Sequence, residues 1–444
     1  MRPTFRVQVS SHKVGSKTIM EKQLAKLFCN LVIVLCIQHC GTVNLNTLRL
    51  TNVLYRHGDR SPVKIFKTDP NTISSWPQGF GYLSKIGMQE QYNLGKYFRE
   101  RYNGFLNGSY IFSEIYVNSS NVDRCLMSAY SNLAGLYYPN RDEEWNMNIT
   151  WQPIPVHTIP EPLDNMISLQ RVCPKYDQLY QRSLKSPAVK KEEIENKGFY
   201  EFVSQKSGQP KESIDKIWQI ADTLLCEQRH NKTWASWVNN TIYNKLRDLD
   251  KWSFDLLFGG RTVSRLKGGP ILGQIVNNIQ MKIAGQLNYK MMMYSGHDTT
   301  VAALLNAMKV FNQESPPYTA TVIIELHEEN NQYFVYSYYK NNTWPNTTSI
   351  HNLTLPGCDF RCPVDKFDAL TKDSIPVDWE KECSIDQHGH NPLQFSEVAV
   401  TIMSILGGMV LLLTMIILVC QCRQNNTKTT TKYRLLEENG YQDS

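Results

Sequence analysis

Apolar weight along the chain falls in short runs separated by turn-forming residues, and the period of each run predicts an element. Residues 48–55 carry Leu50, Val53 and Leu54 in a strand-like run that Gly58 and Pro62 then break. Residues 83–102 place Met88, Tyr92, Phe98 and Tyr102 at near-helical spacing behind Ser84, a good N-cap. They predict a long helix whose aromatic residues pack into a core. Residues 113–117 predict a short strand, and the polar stretch 118–124 a turn that opens another helix. Residues 151–157 read as extended. From about 160 to 265 the pattern becomes helical and rich in Lys, Glu and aromatic residues, which predicts a helical cap beside the sheet with solvated charged faces. A helix over 272–287, a buried strand over 289–294 and a further helix come next. Residues 322–327 and 333–339 predict an antiparallel hairpin completing the sheet of an α/β domain.

Composition changes this picture at the two ends. Of the formal net charge of +6, most sits in residues 1–40, where six basic residues face only Glu21. The last 24 residues hold four basic against three acidic ones, so the body between is close to neutral and offers no basic face for nucleic acid. Residues 1–40 read as a signal peptide with its apolar core at 27–37, and Met20 offers an alternative start. Residues 398–419 contain no charged side chain and are long enough to cross a bilayer. Basic residues follow, which puts 420–444 in the cytosol and 41–395 in the lumen of a type I membrane protein. Glycosylation sequons at Asn107, Asn118, Asn148, Asn231, Asn239, Asn341, Asn346 and Asn352 all fall in the lumenal part; a further one at Asn425 falls in the tail and should stay bare. So do Cys125, Cys173, Cys226, Cys358, Cys362 and Cys383, an even set suited to an oxidising compartment. Spacing leaves their pairing open, although 357–363 suits a local disulfide loop.

Candidate chemistry gathers where strands end. Arg56, His57 and Arg60 follow the first strand, Arg124 the second, and His297 with Asp298 the strand at 289–294. In an open α/β sheet ligands bind at such ends. Neighbouring strands would bring these groups into one anion pocket suited to transferring a phosphoryl group without a metal. Arginines balance charge on the non-bridging oxygens, an imidazole attacks phosphorus, and a carboxylic acid protonates the leaving alcohol. Guanidinium groups beside the imidazole would repel a cation, so no metal or cofactor is expected. A protonated Asp298 predicts an acidic optimum.

The stretches Arg56-His57-Gly58-Asp59-Arg60-Ser61-Pro62, Trp76-Pro77-Gln78-Gly79-Phe80-Gly81, Val122-Asp123-Arg124, 151–157 and His297-Asp298 resemble those of the histidine acid phosphatases of lysosomal and prostatic type. The resemblance runs from about residue 48 to residue 383. It implies a phosphoglycerate-mutase-like fold, with a mixed, mostly parallel central sheet, helices on both faces and a smaller helical cap. It also implies that His57 is the nucleophile, that Asp298 is the proton donor, and that Arg56, Arg60, Arg124 and His297 hold the phosphate. Small phosphomonoester substrates, a homodimer and the disulfides Cys173–Cys383 and Cys358–Cys362 follow in the same way. The partner expected for Cys226 falls near Thr321, and Cys125 is an extra thiol, so these two are either free or bridged to each other. In the tail, Tyr433 and Leu436 resemble a tyrosine sorting signal read by clathrin adaptors, which favours the lysosomal membrane, reached directly or by way of the cell surface. Cys420 and Cys422 at the bilayer edge suit palmitoylation. The rival readings are a cell-surface ectophosphatase, a phytase-like relative and a catalytically silent receptor-like ectodomain.

Overall fold

The computed structural model describes residues 43–210, 212–342, 350–385, 404 and 407–417. They fall into two units, Met1–Ser384 and Ile385–Ser444. In the second, residues 407–417 are helical and exposed. Among the described residues no helix is long and apolar enough to cross a membrane. Ten of the 22 residues of the span expected over 398–419, the signal peptide, Asn346, Cys420, Cys422, Asn425, Tyr433 and Leu436 lie outside the described residues.

The first unit is built on one sheet. In chain order it runs β1 (Leu48–Arg56), α1 (Lys85–Arg101), β2 (Ile115–Ser120), α2 (Asp123–Leu136) and β3 (His157–Ile159). Six helices follow: α3 (Pro174–Ser183), α4 (Pro187–Glu195), α5 (Lys197–Ser207), α6 (Trp218–Arg229), α7 (Asn240–Phe258) and α8 (Arg261–Lys267). The chain then returns through α9 (Gly269–Ile283), β4 (Met291–Gly296), α10 (Asp298–Ala307), β5 (Thr321–Glu329) and β6 (Gln332–Lys340). It closes with β7 (His351–Leu353), β8 (Cys362–Pro363), α11 (Val364–Thr371) and α12 (Trp379–Cys383). The sheet order is β3-β2-β4-β1-β5-β6-β7, with β8 also on β6. Strands β3, β2, β4 and β1 are parallel, whereas β5 to β8 pair antiparallel. The predicted hairpin is β5–β6, turned by Asn330 and Asn331 at φ 51° and 62°. Two consecutive positive φ values suit asparagine and match the twist of the flanking strands.

Both faces of the parallel strands are covered, so they read as unbroken apolar runs. Val53, Tyr55, Met291 and Met293 pack on one face with Leu94, Phe98 and Leu133 of α1 and α2. Leu54, Met292 and Tyr294, one residue out of phase, pack on the other with Ile275, Ile279, Val301 and Leu304 of α9 and α10. Helices α1 and α2 approach so closely that a Cβ on Gly95 would lie 1.9 Å from the Asn132 carbonyl oxygen. The cap helices have their own core, with Ile217, Ile220, Leu224, Leu246 and Leu249 buried together.

Two predicted elements shift. The second strand continues through Ser120 because Asn118, Ser119 and Ser120 are buried and pair with β3 and, for the first two, β4. In α1, Met88 is exposed while Glu90 and Gln91 are buried. Apolar periodicity misses this, since Gln91 Nε2 donates to the Arg56 carbonyl at 2.8 Å and Glu90 Oε2 accepts from the Asp59 N–H at 2.8 Å.

Candidate active site

Three neighbouring strands end level with one another. Arg56 of β1 pairs with Gly296 of β4, and Ser119 of β2 with Ser295. The His57 N–H donates to the Gly296 carbonyl at 2.9 Å, so the chain holds strand geometry one residue further before turning. At the turn, Gly58 lies against Gly87 in the first turn of α1. A Cβ on Gly58 would sit 2.3 Å from the Gly87 carbonyl oxygen, so only glycine fits. Ser84 caps α1 as predicted, accepting from the Gly87 N–H at 3.0 Å, and its hydroxyl donates to Asp59 at 2.5 Å.

Arg56, His57, Arg60, Arg124, His297 and Asp298 all line one cleft of about 470 Å³. Carbonyl oxygens only accept, so the 2.8 Å contact from His57 Nδ1 to the Gly58 carbonyl fixes the proton on Nδ1 and leaves the lone pair on Nε2. Burial, followed by the fields of Arg124, Arg56, Arg60 and His297, holds the His57 pKa well below the ordinary 6.5. The ring is therefore a neutral, oriented base or nucleophile even in acid. His297 is neutral in the other tautomer. Its Nδ1 accepts from Arg124 Nη2 at 3.2 Å, and its Nε2 donates to Ser120 Oγ at 2.9 Å. Burial and Arg124 bring its pKa down to about 3. With both ring nitrogens engaged, His297 acts on the cleft through Arg124.

Asp298, a quarter exposed, accepts from Arg56 Nη2 at 2.7 Å. Burial pushes its carboxyl up, but Arg56, Arg60 and His297 prevail and hold it below the ordinary 3.8. Arg56 Nη1 donates to the Pro316 carbonyl at 2.6 Å, and Arg60 meets Asp222 through both terminal nitrogens at 3.0 and 2.9 Å. The Nε–H groups of Arg56, Arg60 and Arg124 are buried without an acceptor among the described residues. Three donors on three fixed guanidinium groups around a neutral imidazole match a tetrahedral oxyanion.

Several functional residues lie where the sequence predicted solvated charge. In the cap, Asp222, Arg247 and Asp250 line the cleft with Trp218, Phe254 and Leu257. Arg229 of α6 donates through Nε to Asp59 Oδ2 at 2.6 Å and through Nη2 to Glu90, and His230 Nε2 donates to Asp59 at 2.6 Å. Burial, opposed by Arg229, pushes the Glu90 carboxyl up to about 7. Tyr318 lies under the Arg56 guanidinium at 4.3 Å and beside His57 at 5.8 Å between ring centroids. Local periodicity carries no signal for these contacts, which join residues 139 to 262 positions apart.

Cys173 is bonded to Cys383 and Cys358 to Cys362, whereas Cys125 and Cys226 are free and buried. The Cys226 thiol lies 3.5 Å from the Tyr318 hydroxyl, and Cys125 Sγ lies 3.6 Å from His297 Nε2. Among the sequon asparagines, Asn107, Asn148, Asn231, Asn239 and Asn352 are exposed and Asn341 is partly so. Asn118 departs from the expectation: it sits inside β2 at 8% exposure, where a glycan has no room. Among the described residues no group of three or more His, Cys, Asp and Glu is placed to hold a metal ion.

Comparison with known proteins adds a family and a fold. The model of the histidine phosphatase superfamily (branch 2) matches residues 47–340. Rat (Rattus norvegicus) lysosomal acid phosphatase is 41% identical over 360 residues, which are 79% of this chain and 84% of that protein. Human (Homo sapiens) prostatic acid phosphatase is 42% identical over 343 residues, 76% of this chain and 88% of that one. Among solved structures, Hafnia alvei phytase in complex with tartrate matches with a TM-score of 0.60 at 17% identity, covering 76% of this chain and 98% of that chain. At that identity the likeness concerns the fold.

Proposed function

The chain belongs to the histidine phosphatase superfamily (branch 2), and from that premise we propose that it is an acid phosphatase that hydrolyses phosphate monoesters through a phosphohistidine at His57. The observation that carries this reading is the set of Nε–H groups of Arg56, Arg60 and Arg124, unpartnered among the described residues, around the His57 imidazole. These guanidinium groups hold the non-bridging oxygens and neutralise the charge that develops on them. His57 Nε2 attacks phosphorus as the ester P–O bond breaks, and Asp298 gives its proton to the departing oxygen, releasing the alcohol. Throughout, Nδ1–H stays on the Gly58 carbonyl and spreads the positive charge of the phosphorylated ring. Asp298, now a carboxylate, takes a proton from water as that water attacks phosphorus. The P–N bond breaks, and neutral His57 and inorganic phosphate result.

The pH range follows from the two groups. The depressed His57 pKa keeps the nucleophile neutral well below pH 6.5. Asp298 is ionised in the free protein, so its proton arrives with the substrate, whose phosphate carries one below a pKa of about 6. The kcat/KM therefore falls as pH rises above about 6. The test is a labelled aryl phosphate, mixed with enzyme in acid and quenched in base within milliseconds. Label on a histidine in the wild type, with none in His57→Ala and at least a thousandfold loss of turnover, is the expected result. Turnover without trapped label overturns the mechanism.

The same reading makes the chain a single-pass type I glycoprotein anchored through 398–419. Its catalytic unit is a homodimer facing the lysosomal lumen, and its tail is routed by clathrin adaptors at Tyr433 and Leu436. Five exposed sequon asparagines, two disulfides and a neutral body support a lumenal setting. Resistance to alkaline carbonate extraction tests the anchor, and surface biotinylation separates lysosomal from cell-surface residence.

A further inference from the structure

Helix α7 turns one face to the cleft. Asp250, Ser253, Phe254 and Leu257, three and four residues apart, all line it, and Arg247 stands one turn earlier. Asp250 is 8% exposed. Its Oδ2 accepts from Arg247 Nη1 at 2.8 Å and from Ser315 Oγ at 3.2 Å, whereas Oδ1 has no donor among the described residues. Ser315 immediately precedes Pro316, whose carbonyl holds Arg56, so this carboxylate stands beside the phosphate end of the cleft without belonging to it.

Burial, opposed by Arg247 and reinforced by Asp222 and Asp298, pushes the Asp250 carboxyl up to about 6, so from about that pH upward charge in the cleft is balanced before substrate arrives. Arg56, Arg60, Arg124 and Arg247 face Glu161, Asp222, Asp250 and Asp298, and no lysine is among the lining residues. A bound phosphoryl group brings one or two more negative charges, so the occupied cleft is anionic away from the three phosphate-binding arginines. A second phosphate on the alcohol would meet Asp250 and Glu161 with no unpaired cation, because Arg247 is already committed to Asp250. A cation would be favoured there by both charge and geometry. It would gain an acceptor at Asp250 Oδ1, and its carbon framework would lie against Trp218, Phe254 and Leu257.

We propose that Asp250 determines specificity by accepting a hydrogen bond from an ammonium group on the leaving alcohol, so that the preferred substrates are phosphate monoesters of amine-bearing alcohols and phenols. This rests on the phosphatase reading of the same site and names the class of leaving group that it takes.

A matched pair of substrates tests it: 4-(2-aminoethyl)phenyl phosphate and 4-ethylphenyl phosphate, which differ by the ammonium group and share the reacting bond. Wild-type enzyme should favour the amine by about tenfold in kcat/KM, mostly through KM, as expected for one added charge-assisted hydrogen bond. Asp250→Asn should bring the ratio close to one, and Asp250→Glu should restore part of it. Equal rates on both substrates in the wild type, a comparison that needs no variant to fold, overturn the proposal. So does an Asp250→Asn enzyme that keeps the full preference. Failure of the wild type to hydrolyse either ester would instead remove the phosphatase reading, and this proposal with it.

Discussion

Arg229 belongs to the cap, yet it holds the turn that carries His57. Its guanidinium bridges Asp59 and Glu90, two carboxylates with no exposed side-chain surface, and lies 5.3 Å over the Tyr318 ring. Replacing it by alanine leaves both carboxyl groups buried beside each other without the guanidinium they share. Such a loss costs roughly 2–4 kcal/mol, somewhat less than for a fully buried pair because Arg229 is itself a quarter exposed. Arg229→Ala should therefore melt several degrees lower, and kcat should fall about tenfold as the turn loses its fixed position. Thermal unfolding and steady-state kinetics check this, and a variant with wild-type values in both would remove the role. The sequence was legible at His57, Arg60, Arg124 and Asp298 because each follows a strand or opens a helix, a position that needs no tertiary knowledge. It was silent at Arg229, Glu90 and Asp250. A charged residue on a helix reads as solvent-facing unless its distant partner is known, and these partners lie across the seam between sheet and cap.

At the scale of elements, α6 is the joint. One side of it sends Asp222 to Arg60, Cys226 to Tyr318, Glu227 to Asn71 and Arg229 to Asp59. Glu227 Oε1 accepts from Asn71 Nδ2 at 2.6 Å, while its Oε2 and Asp69 Oδ2 are both buried and meet no N–H or O–H donor of another side chain or the backbone among the described residues. Burial, followed by Asp69, raises the Glu227 pKa well above its ordinary 4.5, so at neutral pH the pair holds a proton. The sign follows from linkage. A raised carboxyl pKa stabilises the fold fully below 4.5, and that contribution is lost as pH rises toward the folded value. Glu227→Gln cannot titrate, so its melting temperature relative to wild type should increase from pH 5 to pH 8. A difference independent of pH would place the proton elsewhere. The strands were legible wherever they were apolar, as at 48–55 and 289–294. The end of β2 was not, since Asn118, Ser119 and Ser120 look like a turn and are held in the sheet by pairing and by the Ser120–His297 hydrogen bond.

For the whole molecule, the cleft lies where two separately packed bodies meet, the sheet with its flanking helices and the cap with its own core. Hydrophobic periodicity could show that both bodies exist, but not that β4 lies between β2 and β1, because strand order depends on pairings across more than a hundred residues. The Cys173–Cys383 bond spans 210 positions, closing a loop that contains nearly all of the cap and the second half of the sheet. A protease meeting this protein finds exposed sites such as Lys185 inside that loop. A single cut there should leave one band on an unreduced gel, two after reduction, and hydrolytic activity that survives until the thiols are freed. Separation of the pieces without reductant would contradict this. A clipped but working form, outlasting its own backbone break, is what such a closure provides.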